Sequence, residues 1–383
     1  MVTAFIPVRG GSKSIPLKNI KPFCGKPLVC WNIEALENTS EVDEIIVATD
    51  SDEIENTVKS FNYPKTRIYR RSAENACDTA STESVMLEYI NAAQLHDDNV
   101  FMLVQATSPL TTSVDFKGGL KLYFDEGFDS ILTCVRNYRF FWNEDGTSKN
   151  YDYKSRPRRQ NFDGMLMENG AFYINTVKNI KFSGNRLSGK IGIYEMPEYT
   201  AAEIDEPDDW VVLENLMRRH ILHKQNASHN IKLFLSDVDG TLTDGGMYYS
   251  ENGDELKKFN THDGMGFQML RERGIKTGII TSENTKIVEN RAKKLKIDFL
   301  VQGKRNVGKL EAVRQVCNEL GISLKDVAYI GDDINDIELL SEVGYAACPA
   351  DACAEVKNVY YINVMCRKGG EGCVRELVEK IVE

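Results

Sequence analysis

No two cysteines in this chain stand at C-x-x-C spacing. The nine cysteines, an odd number among 383 residues, are scattered. The nearest neighbours are Cys24 and Cys30, Cys348 and Cys353, and Cys366 and Cys373, and none has the spacing of a zinc site. This usage fits reduced, mostly buried thiols and a cytoplasmic location. No stretch reaches the ~18 uncharged apolar residues of a membrane span. Met1 leads almost directly into an apolar run, without the charged and apolar regions of a secretory leader. Positive charge is short as well. Forty-seven Lys and Arg face 57 Asp and Glu, a formal net charge of −10. No compensating basic run appears, which argues against a nucleic-acid partner. Any phosphorylated ligand must be held by local cations and metal. Neither the G-x-x-x-x-G-K-[ST] loop nor the G-x-G-x-x-G fingerprint is present.

What is present points to two domains. The length exceeds the usual limit of one core, and 42% apolar residues suffice for two. The most informative stretch follows the apolar run Val2 to Pro7, which reads as a first strand. It is Val8-Arg9-Gly10-Gly11-Ser12-Lys13-Ser14-Ile15-Pro16-Leu17-Lys18-Asn19. A strand emptying into a glycine-rich loop exposes backbone N–H groups that can cradle an anion. Arg9, Lys13 and Lys18 add positive charge suited to a triphosphate. The plainer reading is a strand-to-helix turn with solvated cations.

This loop resembles the signature of the CMP-sialate synthetases (acylneuraminate cytidylyltransferases) and their CMP-KDO relatives. Arg9, Ser12, Lys13, Lys18 and Asn19 fall on matching positions. The resemblance implies that they, with Gly10 and Gly11, hold the phosphates of CTP. Arg71 and Asp78-Thr79-Ala80-Ser81 resemble the part that reads cytosine, with Arg71, Ala80 and Ser81 as nucleotide contacts. Gln105-x-Thr107-Ser108-Pro109 resembles the segment that contacts the acceptor sugar. Glu168 to Tyr173 matches a further family segment, in which Asn169 is the candidate sugar contact.

Strands alternate with helices through the first half. Helical spacing covers Pro27 to Asn38, Ile54 to Phe61, Thr79 to Ala93 (with Asp78 as N-cap) and Phe116 to Phe124. Strands are expected at Val42–Thr49, Val100–Val104 and Ser130–Val135. This rhythm argues a parallel sheet covered by helices, with ligands beyond the carboxyl ends of the strands. Residues 136–200 break it, with Tyr138, Phe140, Phe141, Trp142, Tyr151 and Tyr153 interleaved with five arginines. Such aromatics either pack back on the core or form an interface. The resemblance implies a dimerisation arm. Glu203 and Asp205, at i and i+2 of an extended segment, offer two carboxylates to one point, a candidate Mg²⁺ site. The family usually has Asp-Ile-Asp there, so Glu203 is a departure. His220, His223 and His229 beside a polar stretch read as solvated.

The polar segment Lys224 to Asn230 marks the expected boundary, giving domains at 1–226 and 231–383. Beyond it, the strand Ile231 to Leu235 runs into Asp237-Val238-Asp239-Gly240-Thr241. This resembles the first motif of haloacid dehalogenase-type phosphatases. There Asp237 would be the nucleophile and Asp239 the proton donor and then base. Thr281 and Ser282, after a strand at 275–280, would bind the phosphoryl group. Lys309 is chosen over Lys304 because it precedes an apolar helix. Asp332, in Gly331-Asp332-Asp333, would complete a Mg²⁺ shell with Asp237 and the Asp239 carbonyl. Only a hairpin centred on Asn252-Gly253 separates the first motif from the next helix. That leaves no room for a large cap and resembles the capless phosphatases of KDO 8-phosphate and KDN 9-phosphate, usually tetramers. Their glycine-rich C-terminal segment matches Arg367 to Glu376.

The fold expected is α/β in two parts: a Rossmann-like nucleotidyltransferase sheet with a dimerisation arm, then a phosphatase Rossmannoid. The function expected is CMP transfer from CTP to an acylneuraminate-type nine-carbon 2-keto-3-deoxy acid sugar, releasing pyrophosphate, with hydrolysis of the same sugar's 9-phosphate. Lys18, Asp237 and Asp239 would be catalytic and Mg²⁺ the cofactor. A homo-oligomer is expected, dimeric through the first domain and tetrameric through the second. Two alternatives stand beside this. One pairs KDO activation with a KDO-8-phosphate phosphatase; the other makes the second domain a non-catalytic oligomerisation module.

Overall fold

The computed structural model describes residues 1–77, 79–222, 230–304 and 307–382. The chain divides into two compact units, Met1–Met217 and Arg218–Glu383. Most of the boundary segment expected from sequence lies outside the described residues, as do Asp78, His223 and His229.

The first unit is built on a seven-stranded sheet. Its order is Thr66–Arg70, Glu44–Thr49, Val2–Pro7, Val100–Val104, Met165–Thr176, Ser130–Asn137, Ile191–Met196. Val2–Pro7 pairs in parallel with both neighbours. Alternation decides its two faces: Ala4 and Ile6 join one core cluster, Phe5 the other. The sheet is mixed rather than wholly parallel, because Met165–Thr176 runs antiparallel to both of its neighbours. The chain leaves Ser130–Asn137, makes the excursion at 138–164, and re-enters opposite Asn137 at Met165. A return at the same end without a crossover helix forces antiparallel pairing. The aromatics of that excursion pack on one another. Phe140 lies 4.2 Å from Tyr151 and 4.9 Å from Phe162, ring centre to ring centre, while Trp142 and Tyr153 stay exposed.

The helix expected from Thr79 begins later than its spacing implied. The third long helix is Thr82–Ala92, capped by Ser81, whose hydroxyl accepts from Ser84 N–H. The last helix of the unit is Pro207–Met217, with proline in its first turn followed by Asp208 and Asp209.

The second unit carries a six-stranded sheet in the order Phe299–Val301, Lys276–Ile280, Leu233–Ser236, Val327–Ile330, Tyr345–Cys348, Asn363–Val364. Every pairing is parallel. Leu233–Ser236 is buried throughout, which explains its uninterrupted apolar run. Its register, Ser236 opposite Ile330, brings Asp237 beside Gly331-Asp332 at the carboxyl ends. None of the nine cysteines forms a disulfide, and only Cys77 and Cys366 are exposed. Among the described residues no helix is long and apolar enough to cross a membrane.

Candidate functional site

The first unit has a cleft of about 310 Å³ beyond the carboxyl ends of its central strands. Three segments distant in sequence converge on it. Arg9, Ser12, Lys18 and Asn19 come from the first loop, Arg71, Cys77, Ala80 and Ser81 from the opposite wall, and Gln105 and Thr107 from the end of Val100–Val104.

Local chemistry holds the first loop. Gly10 N–H donates to Asp50 Oδ1 at 3.0 Å, and a Cβ at Gly10 would meet Ser51 Cβ at 2.9 Å. Glycine is therefore required by close approach. Gly11 has open space around it, and Lys13 is exposed outside the cleft lining. Asn19 is buried and donates to the Arg9 carbonyl at 3.3 Å. Leu17 takes a left-handed conformation at φ 49°, an uncommon state for a side chain of this size. The turn that follows directs Lys18 inward.

Lys18 bridges the loop to the acidic segment. Its Nζ lies 2.6 Å from the Ile204 carbonyl and 3.2 Å from Asp205 Oδ1. Residues 201–205 form no strand, unlike the extended strand expected, yet Ile204 is buried between the exposed Glu203 and Asp205. Ile204 N–H donates to the Thr107 carbonyl at 2.9 Å, which ties this segment to the loop after Val100–Val104. Glu203 is exposed as a residue; its carboxylate lies near Gly170 and accepts from the Thr107 hydroxyl. Desolvation of that carboxyl, with Asp205 beside it, pushes Glu203 up from its ordinary value. Asn169 is buried outside the cleft lining. Its amide nitrogen reaches the Thr200 carbonyl at 3.1 Å, and its Oδ1 has no partner.

Sequence reading missed Glu88, which braces the opposite wall. Its carboxylate accepts from Tyr69 OH at 2.8 Å, from Ser72 N–H and Oγ at 2.9 and 2.7 Å, and from Asn75 Nδ2. Those groups hold the turn that leads from Arg71 to Cys77. Partial burial works against the charge, but the hydrogen bonds outweigh it and hold the carboxyl down at about 2. A depressed carboxylate stabilises the fold above its unfolded value and loses that contribution as pH falls through the folded one. The stability gap between wild type and Glu88→Gln is therefore expected to be full at neutral pH. It narrows as pH drops below the ordinary 4.5 toward 2. Urea unfolding from pH 7 downward measures it, and a gap constant with pH would refute the bracing role.

The second unit gathers its charges in a drier place. Lys309 is fully buried, with Nζ 3.1 Å from Asp237 Oδ1 and 2.6 Å from Asp336 Oδ1. Lys304, by contrast, is exposed. Burial works against the Lys309 charge, but Asp237 and Asp336 prevail and raise it above its ordinary range. Asp237, Asp332 and Asp336 bring carboxylate oxygens within 4.8 Å of one another. Burial and Asp336 push Asp332 up to about 7, and burial with the neighbouring acids drives Asp237 well up. One ammonium against three carboxylates leaves two negative charges uncompensated. Hard oxygen donors with that imbalance fit a divalent cation such as Mg²⁺.

Asp336 was absent from the expected metal set. Its other contacts explain why it serves Lys309: it also accepts from Tyr329 OH and from the N–H groups of Asp332 and Asp333. Asp237 and Asp332 thus remain the better donors. Asp239 was expected to offer its carbonyl; its carboxylate lies apart from the cluster, on Lys257. Gly240, at φ +83°, gives Asp332 room, since a Cβ there would lie 2.0 Å from Asp332 Oδ2. Thr281 is buried and accepts from Glu283 N–H. The Ser282 hydroxyl donates to the Lys304 carbonyl and accepts from Asn335 Nδ2 at 2.9 Å. Gly369 lies against the first motif: a Cβ there would sit 1.9 Å from the Gly240 carbonyl. The glycine-rich tail thus crosses the Asp237 loop in contact.

Comparison with known proteins follows the same division. A family model described as Cytidylyltransferase matches residues 3–229, and one described as haloacid dehalogenase-like hydrolase matches 302–365. N-acylneuraminate cytidylyltransferase B of Danio rerio is 34% identical, over 99% of this chain and 90% of its own length. N-acylneuraminate cytidylyltransferase of Oncorhynchus mykiss is 35% identical, over 100% of this chain and 88% of its own. The 3-deoxy-D-manno-octulosonate 8-phosphate phosphatase of Salmonella typhi is 37% identical, over 42% of this chain and 84% of its own.

Proposed function

Because the chain belongs to the cytidylyltransferase family and its C-terminal part to the haloacid dehalogenase-like phosphatases, we propose that it performs consecutive steps on one acidic sugar. The second unit would remove the 9-phosphate of a nine-carbon 2-keto-3-deoxy acid. The first would then transfer CMP from CTP to the anomeric 2-hydroxyl of an acylneuraminate-type sugar. The observation that carries this reading is that each unit has its own concentration of charge, a cation-lined cleft in one and a buried acidic cluster around Lys309 in the other.

In the cleft, Arg9 and Lys18 would neutralise the triphosphate, and Arg71 with Ala80 and Ser81 would face the base. Gln105 and Thr107 would hold the sugar, whose hydroxyl attacks the α-phosphorus as pyrophosphate leaves. Glu203 and Asp205 could hold Mg²⁺ once the Lys18 ammonium moves from Asp205 to the phosphates. Catalysis there is positioning and charge stabilisation. In the second unit a carboxylate oxygen of Asp237 would bond to phosphorus while the bond to the sugar oxygen breaks. Asp239 would deliver a proton to that oxygen, then take one from the water that releases phosphate. A divalent cation held by Asp237 and Asp332 would screen the charge between carboxylate and phosphate. Lys309 would balance Asp237 from the other side.

Incubating purified protein with CTP, Mg²⁺ and a panel of free and 9-phosphorylated acids, with KDO and its 8-phosphate beside them, tests this. Phosphate is expected only from the 9-phosphates, and pyrophosphate from the free nine-carbon acids at once and from their 9-phosphates only after phosphate has been released. Pyrophosphate from KDO alone would favour the octulosonate alternative. No phosphate from any sugar phosphate would leave the second unit as a scaffold.

A further inference from the structure

The hairpin after the first phosphatase motif has an odd distribution of side chains. Its strands, Tyr248–Tyr249 and Glu255–Leu256, pair only with each other among the described residues. Met247, Tyr248, Tyr249 and Leu256 are all exposed, so little apolar burial holds it down. Lys257 is the exception. Its side chain is 1% exposed, and its Nζ contacts Asp239 Oδ1 and lies 3.2 Å from Glu255 Oε1. Alternation puts Glu255 and Lys257 on one side of the returning strand and Leu256 and Lys258 on the other. Lys258 pairs with Asp244 at 3.2 Å but is 62% exposed, and such a pair contributes little. The buried tie of this hairpin is therefore the ammonium on Asp239.

We propose that Lys257 is a positioning residue of the phosphatase site, holding the Asp239 carboxylate in place and seating the hairpin through the same contact. The inference rests on the phosphatase reading above. Asp239 follows Asp237 by two residues, so its carboxylate feels the charge of the Asp237, Asp332 and Asp336 cluster without belonging to it. Like charges would drive an unheld Asp239 carboxylate toward solvent. Lys257 engages Oδ1 and leaves the second oxygen for the sugar oxygen that departs. In that step the Asp237–phosphorus bond forms, the phosphorus–oxygen bond to the sugar breaks, and the Asp239 proton goes to the sugar oxygen. An alkyl leaving oxygen needs that proton. A para-nitrophenolate does not, because it is stable as an anion.

The distinction supplies the test. Lys257→Met and Lys257→Arg are assayed in the full chain on N-acetylneuraminate 9-phosphate and on para-nitrophenyl phosphate. The kcat/KM ratio isolates the first bond-breaking step. Lys257→Met is expected to lose about 10- to 100-fold on the sugar phosphate and less than about 3-fold on the aryl phosphate. Lys257→Arg should recover most of the sugar-phosphate rate. Hydrogen exchange at 246–258 should quicken in Lys257→Met, with CMP transfer unchanged. Equal losses on both substrates, or no loss on either, would overturn the positioning role. A wild-type protein that cleaves neither substrate would instead refute the phosphatase reading, and this inference with it.

Discussion

Asp237→Asn is expected to lower phosphate release from a sugar 9-phosphate by at least ~10³-fold and leave CMP transfer at the wild-type rate. The amide is nearly isosteric with the carboxylate but cannot bond to phosphorus as a nucleophile. It also cannot match the carboxylate as a metal donor. Folding should not suffer. Asp237 is crowded by Asp336 and Asp332, and its burial pushes it well above the usual carboxylate range. Removing one of three mutually repelling charges, with Lys309 still paired to Asp336, relieves that crowding. The variant's unfolding midpoint without added metal should therefore equal or exceed wild type. Retained phosphate release in Asp237→Asn would remove the assignment of the nucleophile. Loss of both activities would point to a folding defect and contradict the charge argument.

Lys18→Met should produce the mirror result. CMP transfer is expected to fall roughly 10²- to 10³-fold, the range seen when one preorganised group facing developing charge is removed. Phosphate release should be untouched. Methionine keeps the unbranched stem but loses the ammonium that bridges Ile204 and Asp205. Lys18 is only 12% exposed in its side chain and already lines the cleft, so its ammonium has only to exchange Asp205 for the triphosphate. Two effects then add: the triphosphate loses a cation, and the acidic segment loses its link to the first loop. Steady-state rates with CTP and a free acid, read as pyrophosphate, measure the sum. Transfer within about 3-fold of wild type would reduce Lys18 to a strut for the Ile204 carbonyl.

Local chemistry made much of this protein legible before any coordinates. Val100–Val104 has the bounds its apolar pattern implies. Glycine loops, Asp-x-Asp-Gly-Thr and the hairpin turn at Asn252-Gly253 are local motifs, each specified by backbone conformation or by chemistry over a few residues. Other features were not readable. The reversed strand Met165–Thr176 depends on where a long excursion re-enters the sheet, and no periodicity encodes that. The helix cap at Ser81 depends on where the chain finishes its turn. Glu88 and Lys257 look in sequence like any charged residues; their roles arise from partners 13 to 19 positions away.

Residue order alone specified two α/β units, a cation-bearing glycine loop in the first and an acid-and-lysine phosphatase set in the second, since each is written in short runs or simple alternation. Which charges meet was decided only in three dimensions. Lys18 turns to Asp205, Lys309 is clamped between Asp237 and Asp336, and Asp239 is held by Lys257. The physical reason is that a charge's behaviour depends on its distance from other charges and from water, and folding sets both by joining segments that sequence keeps apart.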